Sequence, residues 1–387
     1  MLTLLKGMIR RAATAPATGT GGGGTPLALG GAGLRPEGQS YAALSRRGYQ
    51  GNPVAHRCVR LVAETAAAVP LVAYAGDREV PDHPLARLLA RPNPLMAGPD
   101  FFEALYCHLA LDGNAFVEVV TVAGEVRELY PLRPDRVRIE TGANGWPTAY
   151  LVETGSRLRR LPVTVGPGDP VHVRLFHPLD PARGFAPLAA AAGALALSNA
   201  AIRWNRALID NSARPSGALV YQPKEGGNLS PQHYERLKRE LAEGYSGADG
   251  AGRPLLLEGG LDWKPMSLTP RDLDFAEAKN GAARDIALAL GVPPLLIGLP
   301  GDNTYANYQE ANRAFYRLTV LPLVGRTLSA LVHALVPAGE GLRMEPDLDR
   351  ISALSPERSE LWGRVTAADF LTEAEKREAL GYGAEPA

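Results

Sequence analysis

The stretch from Thr269 to Pro337 constrains the fold most strongly, because its pattern predicts two helices joined by a loop. Thr269 and the proline after it are typical of a helix start, with Asp272 as the acidic partner of the cap. Gly291 and the two prolines that follow shortly after it are typical of a helix end. The next segment is rich in Pro, Gly and Asn, which predicts a loop before the second helix.

The second helix is predicted to be longer, and its apolar residues recur at helical spacing. They are Tyr308, Ala311, Phe315, Leu318, Val324, Leu328, Leu331 and Leu335. Pro322 lies inside this pattern, where it removes one backbone N–H and its ring crowds the carbonyl four residues back. We therefore expect a kink at Pro322.

The charge balance limits the classes of partner. The chain has 387 residues, 45% of them hydrophobic, and contains 41 basic and 41 acidic residues, so its net charge is zero. Proteins that bind nucleic acid tightly usually carry a basic excess, so tight binding is not expected, although passage of nucleic acid without tight binding is compatible. Cys58 and Cys107 fit apolar helical patterns and are expected to be buried thiols.

The chain carries no predicted membrane span or secretory signal. Its first residues, MLTLLKGMIRR, have the wrong order and length for a signal peptide. Residues 187–202 come nearest to a membrane span, but Ala is weakly hydrophobic and Ser198 and Asn199 interrupt the segment. We therefore expect a soluble protein made in the cytoplasm.

The remaining chain divides by composition and pattern. Residues 12–51 are dominated by Ala, Thr, Gly and Pro, which favours a flexible arm. Helix and strand patterns over 52–180 predict an α+β domain with antiparallel strands, with a helix start at Asn52, a helix end at Gly113 and a hairpin turn at Ala123-Gly124. A long Ala-rich helix is predicted at 187–213, followed at 216–268 by a small insert of one strand, one helix and two strands, RPLLLEGG and LDWKPMSL. The tail after Pro337 predicts one strand and two helices.

Catalytic motifs are missing from the sequence. It contains no nucleophile elbow, no HExxH, no Walker lysine loop and no CxxC pair. His172 and His177 suggest a metal pair at first sight, but their spacing across a strand end is poor ligand geometry, so locally bonded histidines are the preferred interpretation. We predict no catalytic residue, no metal site and no cofactor, and therefore not an enzyme.

The loop from Gly298 to Thr304 contains no Lys or Arg. Two interpretations stay open: an ordinary surface turn, or the lining of a pore. Each neutralised phosphate adds free energy from counterion release, so many basic contacts would hold a nucleic acid too tightly. A neutral loop with short side chains would let a polyanion slide past.

Several segments occur in an order and at a spacing that can be compared with known families. They are NPVAHRCVRLVAETAAAVP, HPLARLLARPNP, DFFEALYCHLALDGNAFVEVV, ELYPLRPDRVRIE, FHPLDPARGFAPLAAAAGAL, DNSARPSGALVY, GRPLLLEGGLDWKPMSLTPRDLDFAEA, DIALALGVPPLLIG and NTYANYQEANRAFYRLTVLPLV. Together they cover most of the chain, and they resemble the portal protein family of tailed bacteriophages, in the branch with lambda-like siphophage capsids. A portal protein from a prophage or from a phage-derived gene transfer particle would look the same.

The resemblance implies an α+β portal fold assembled as a ring. Its implied parts are a flexible N-terminal arm (1–51), a wing (52–186), a stem helix (187–215), a clip (216–268), a second stem helix (269–290), a tunnel loop (291–308), a long kinked helix linking the loop to the wing (309–337) and a C-terminal wing segment with a minimal crown (338–387). The Asn280-Gly281 pair departs from the usual stem pattern, and we expect a bend there.

The resemblance also implies a function. Subunits would form a ring, usually of twelve, at one capsid vertex, through which terminase packages double-stranded DNA and through which the DNA later leaves. Contacts with DNA would be transient and non-specific, and the other implied partners are the head–tail adaptor and the major capsid protein, with no membrane. The implied location is the portal vertex of a virion or phage-like particle, after assembly in the bacterial cytoplasm.

Two sets of site residues follow as expectations. The tunnel lining is predicted to include Leu299, Asp302, Asn303, Thr304, Tyr305 and Asn307. Contacts between subunits are predicted to include Trp204, Phe315, Leu328 and Leu331. The alternatives are an uncharacterised soluble nucleic-acid-processing enzyme, for which no convergent polar cluster is visible, and a membrane-active protein built on residues 187–202.

Overall fold

The computed structural model describes residues 39–163, 168–210, 217–221, 230–245, 261–265, 275–299, 304–337 and 339–382. The helices in these ranges are α1 (Tyr41–Leu44), α2 (Pro53–Ala67), α3 (Pro84–Ala90), α4 (Gly98–Asp112), α5 (Pro187–Ala190), α6 (Ala192–Asp210), α7 (Pro231–Tyr245), α8 (Phe275–Ala289), α9 (Tyr305–Phe315), α10 (Leu321–Leu335), α11 (Ser355–Thr366) and α12 (Glu373–Ala379). π-Helical turns span Ser45–Tyr49 and Tyr316–Val320, and short 3-10 turns include Pro134–Arg136 and Pro294–Ile297.

The strands pair antiparallel throughout. They are β1 (Leu71–Ala75), β2 (Arg78–Glu79), β3 (Asn114–Val122), β4 (Glu125–Leu132), β5 (Val137–Thr141), β6 (Pro147–Thr154), β7 (Arg157–Pro162), β8 (Val171–Arg174), β9 (Gly217–Tyr221), β10 (Leu261–Pro265) and β11 (Leu342–Pro346). Their orders within the sheets are β11-β1-β2, β4-β3-β8, β5-β6-β7 and β10-β9. The described residues therefore have the mixed helix-and-sheet architecture that the sequence predicts.

Local sequence explains the boundaries of the wing elements. Asn52 begins α2, because its side-chain oxygen accepts from the backbone N–H groups of Val54 and Ala55. Gly113 ends α4 in the left-handed conformation, with φ of 79°. Ala123 and Gly124 both have positive φ, 54° and 83°, which suits the tight turn of the predicted β3–β4 hairpin.

One large core joins the wing to the helices that follow it. Buried side chains from α2, α4, α8 and α10 and from strands β1, β3, β8 and β11 form this single cluster. The tail contributes to this core through β11. This strand pairs antiparallel with β1, and Pro346 lies opposite Leu71. A second, smaller cluster of Phe116, Val137, Tyr150 and Val152 supports the β5-β6-β7 sheet.

The prediction of a flexible arm over residues 1–51 is wrong for residues 39–51. Residues 39–51 fold as α1 and a π-helical turn, and Leu44 retains only 1% of its exposure. Gly48 packs so closely on α5 that an added Cβ would lie 2.8 Å from Leu188 Cδ2. Small side chains here allow close approach, which the composition argument does not detect.

The stem helices also differ in detail from the prediction. The first is divided at Ala191, between α5 and α6. The second is described as one helix over Phe275–Ala289, and the bend expected at the Asn280-Gly281 pair stays a prediction. Thr269, Asp272 and the predicted strand at RPLLLEGG lie outside the described residues. In the predicted clip, β9, α7 and β10 form where expected.

The long helix runs from Tyr305 to Leu335 and comprises α9, the π-helical turn Tyr316–Val320 and α10. It continues through Pro322, and the departure from α-helical geometry lies just before the proline, where Leu321 N–H donates to the Tyr316 carbonyl. The kink expected at Pro322 stays a prediction. By length and composition alone this helix could cross a membrane. Phe315, Val324, Leu328, Leu331 and Leu335 of its apolar stripe are buried in the core of the chain, whereas Tyr308 and Leu318 are exposed.

Candidate tunnel-lining segment and ring contacts

The segment predicted as the tunnel loop begins where α8 ends. Gly291 takes the left-handed conformation with φ of 65°, and the next amide, Val292 N–H, donates to the Ala287 carbonyl at 2.8 Å. Val292 is only 2% exposed and belongs to the main core. A 3-10 turn follows, and Gly298 closes it with φ of 75°. The first half of the loop is thus attached to the body of the subunit.

The loop ends at the start of the long helix. Thr304 caps α9, because its Oγ1 accepts from Asn307 N–H at 3.2 Å. Every residue from Thr304 to Glu310 is exposed, although these residues cover all faces of a helix. The first two turns of the long helix therefore project away from the subunit, and Tyr305 keeps 76% of its exposure.

Positive charge is absent from a long stretch around this projection. Residues 285–312 contain no Lys, Arg or His. The first cation after the loop, Arg313, lies 3.1 Å from a Glu310 oxygen and 3.6 Å from a Glu357 oxygen. Arg317 lies 3.3 Å from the same Glu357 oxygen. These two guanidinium groups are thus offset by carboxylates of α9 and α11.

The predicted lining residues fall into two groups. Leu299, Thr304, Tyr305 and Asn307 lie at the described ends of the loop, and the last three are exposed at the start of α9. Asp302 and Asn303 lie outside the described residues. Short polar and aromatic side chains can make van der Waals contacts and hydrogen bonds with a passing polyanion. Without cations, they make few contacts that neutralise its charge.

The predicted subunit contacts mostly lie inside the subunit instead. Phe315, Leu328 and Leu331 are 1%, 0% and 0% exposed within a single chain. A side chain that is already buried has no area left for a neighbour, so we correct these three to core residues of the long helix. Trp204 on α6 is half-buried and already contacts its own chain.

The π-helical turn Tyr316–Val320 is a feature that the sequence analysis missed. Such turns are uncommon and often lie at functional sites. The only sequence signal was Pro322, which lacks an N–H and so leaves the Leu318 carbonyl without its α-helical partner. Here the irregular turn lies beside the base of the tunnel loop, since Thr319 contacts Gly291.

The two histidines considered as a metal pair are locally bonded, as preferred in the sequence analysis. Among the described residues no group of three or more His, Cys, Asp or Glu side chains could hold a metal ion. His172 contacts Asn114 Oδ1 at 2.9 Å and the Tyr150 hydroxyl at 3.2 Å. Burial, with smaller contributions from Arg174 and from Arg183, lowers the pKa of His172 to about 3.

A protein family and several known proteins match most of this chain. The family described as "Phage portal protein" matches residues 53–381. An uncharacterised protein of Rickettsia bellii strain RML369-C is 38% identical over 338 residues, which cover 86% of this chain and 87% of that protein. The portal protein of Enterobacteria phage HK97 is 26% identical over 305 residues, which cover 76% and 69%.

Solved structures give the same result. A chain in the neck of an empty gene transfer agent (GTA) particle is 48% identical with a TM-score of 0.70, and the match covers 89% of this chain and 94% of that one. The neck of the native particle, computed with C12 symmetry, matches with a TM-score of 0.67. An HK97-family portal protein from Corynebacterium diphtheriae, 16% identical with a TM-score of 0.57, shows the shared fold alone.

Proposed function

The chain belongs to the phage portal protein family, and from this premise we propose how its described surfaces serve a portal channel. Its role is that of the channel at the portal vertex of a phage or gene transfer particle. The observation that carries this conclusion is the 48% identity to a chain of the GTA neck over 89% of the sequence. The similarity extends across wing, stem and long helix rather than over one motif.

Copies of the chain form a homo-oligomeric ring, and we propose twelve copies, as in the C12 symmetry of the similar neck. A ring closes through heterologous contacts, in which one surface of each subunit meets a different surface of the next. We propose that exposed apolar side chains of the stem helices supply part of these contacts. Leu197 on α6 is 50% exposed and Leu288 on α8 is 78% exposed.

The tunnel loop is proposed to face the DNA. In this arrangement the channel is lined by Leu299, Thr304, Tyr305 and Asn307, together with Asp302 and Asn303. The support for this proposal is the projection of residues 304–310 from the subunit and the lack of cations over residues 285–312. DNA contacts there would be transient and independent of base sequence, since no side chain is set to neutralise phosphates.

Partners at the two ends of the channel are proposed from the family. The clip, residues 216–268, would contact terminase during packaging and a head–tail adaptor afterwards, and the wing would contact the major capsid protein. The family is structural, and we propose no catalytic step for this chain; the energy for DNA movement would come from terminase.

Electron microscopy of the purified protein tests the proposal directly. We expect closed rings with a central passage wide enough for duplex DNA. Class averages that show only monomers over a range of salt and protein concentrations would contradict the proposal. A closed assembly without a central passage would contradict it equally.

A further inference from the structure

One side-chain hydrogen bond closes the base of the tunnel loop. Thr319 Oγ1 donates to the carbonyl oxygen of Gly291 at 2.6 Å, between residues 28 positions apart. Gly291 is the first residue of the loop, and Thr319 lies in the π-helical turn that follows α9. The bond, here named the base contact, therefore joins the two ends of a segment that contains both the loop and the projecting part of the long helix.

Gly291 fits this contact sterically as well as by hydrogen bonding. A Cβ at this position would lie 2.5 Å from Thr319 Oγ1 and 3.2 Å from its methyl carbon. The positive φ of 65° adds a second reason for glycine, because side-chain-bearing residues rarely adopt it. Gly291 is thus held against the threonine at a distance that no larger residue allows.

The π-helical turn provides a fixed support for the Thr319 hydroxyl. Val320 is 0% exposed and the preceding Phe315 is 1% exposed, so the turn is attached to the main core on one side. On the other side, Arg317 donates to Glu357 of α11 at 3.3 Å. The threonine is therefore presented from a position that core packing and an ion pair both hold.

The loop beyond this base is held less firmly. Leu296 and Ile297 still pack partly against the core, but an added Cβ at Gly298 would have no neighbour within 4 Å. All residues from Thr304 to Glu310 are exposed. A small rotation at the base would therefore be carried outward through the projecting segment, since little else in the described residues restrains it.

We propose that Thr319 is a positioning residue for the tunnel loop: its hydroxyl fixes Gly291 against the π-helical turn and so sets the direction in which the described ends of the loop, residues 298–299 and 304–310, extend toward DNA. This inference rests on the proposed function, because it requires that the loop faces the channel. The base contact itself does not depend on that function and can be measured separately.

Hydrogen–deuterium exchange on assembled rings tests the base contact. Thr319→Val keeps the shape of the side chain and removes the donor, and Thr319→Ser keeps the donor. We expect Thr319→Val to speed exchange several-fold in peptides covering residues 292–299 and 304–310, with residues 321–335 unchanged and Thr319→Ser near the wild type. Gly291→Ala should act like Thr319→Val, whereas Gly281→Ala, where an added Cβ meets nothing within 4 Å, serves as the matched control.

DNA content per particle tests the positioning role. At equal numbers of assembled rings, we expect Thr319→Val particles to hold several-fold less DNA than wild type, with Thr319→Ser restoring the content. Unchanged exchange in Thr319→Val would overturn the base contact, and faster exchange with unchanged DNA content would overturn the positioning role. Failure of the proposed function would look different, because wild-type particles themselves would protect no DNA while the contrast in exchange persisted.

Discussion

A single buried amide joins strand β3 to the segment that precedes α5. Asn114 is 0% exposed; its Oδ1 accepts from Gly184 N–H at 2.6 Å, and its Nδ2 donates to Asp112 Oδ2 at 2.7 Å. Because the amide oxygen can only accept, Nε2 of His172 carries the proton in the 2.9 Å contact between them. Gly184 N–H and His172 Nε2 would be left buried without this partner if the amide were lost.

Replacement of Asn114 by Ala should therefore destabilise the subunit by about 3 kcal/mol, since a buried polar group without a partner costs about 1–3 kcal/mol. Denaturant unfolding at one fixed protein concentration measures the change. Asn144→Ala is the matched control, because Asn144 is exposed and accepts only from Trp146 N–H among the described contacts. Equal stability losses for both variants would contradict the role given to Asn114.

The pKa of His172 gives this same region a pH dependence. Burial lowers its pKa to about 3 in the folded chain, against an ordinary value near 6.5. Between these values the unfolded chain binds the proton and the folded chain does not, so the free energy of unfolding falls as the pH falls. His172 therefore contributes stability above about pH 6.5 that is progressively lost on acidification toward pH 3.

Unfolding titrations at pH 6 and pH 4 test this dependence. We expect the wild type to lose up to about 1.4 kcal/mol more per pH unit than His172→Gln, because the variant lacks the titrating group. His333→Gln, on an exposed face of the long helix, should follow the wild type. Parallel pH profiles for wild type and His172→Gln would show that this imidazole is not kept neutral by the fold.

In the long helix, substitutions can distinguish residues of the subunit core from residues in the contacts between subunits. Leu328→Asp places a charge where the side chain is 0% exposed, which should cost at least about 4 kcal/mol and prevent folding of the subunit itself. Ser329→Asp adds the same charge one residue along, on an exposed face. Circular dichroism should show an unfolded chain for the first variant and a native spectrum for the second. A folded monomer of Leu328→Asp would contradict the core assignment and would favour a role for Leu328 in the contacts between subunits.

Local patterns in the sequence predicted most of the elements. Asn52, Gly113 and the Ala123-Gly124 turn act through neighbours within a few residues, and each boundary formed where it was predicted. The folded segment at residues 39–51 was missed because it depends on a distant contact of Gly48 with Leu188. The strand Arg157–Pro162 was missed because its three arginines do not alternate regularly with apolar residues.

The candidate site was predictable to the extent that it depends on composition. The lack of cations could be counted directly, but the long helix begins at Tyr305, four residues before its predicted start at 309, so Thr304 and Tyr305 had been assigned to the loop. The core position of Leu328 was not predictable, because the apolar pattern of a helix face is the same whether that face packs against its own chain or against a neighbouring subunit. The base contact depends on the fold, because it joins residues 28 positions apart.

For the whole assembly, the exposed stem leucines are expected to be needed for the ring and not for the fold. Leu288→Asp changes a side chain that is 78% exposed in one chain. The free energy of unfolding of the subunit should therefore stay within about 0.5 kcal/mol of the wild-type value. In a ring, the same change would place one unpaired charge in each subunit contact and should give monomers in sedimentation experiments. Leu348→Asp, 37% exposed in a 3-10 turn of the tail, is the comparison. Intact rings of Leu288→Asp would place the contact elsewhere.

The charge of the channel lining is expected to set the rate at which DNA moves through it. Tyr305→Lys adds one cation per subunit, or twelve around a ring with the symmetry of the similar neck, at a position that is 76% exposed. Each cation that neutralises a phosphate adds counterion-release free energy, so the DNA should be held and packaging should slow several-fold, with partial recovery as salt is raised. Two variants serve as controls. Tyr305→Gln removes the aromatic side chain without adding charge, and Leu318→Lys adds the same charge at another exposed position of the long helix. If Tyr305→Lys packages at the rate of Tyr305→Gln at every salt concentration, the start of the long helix does not face the DNA.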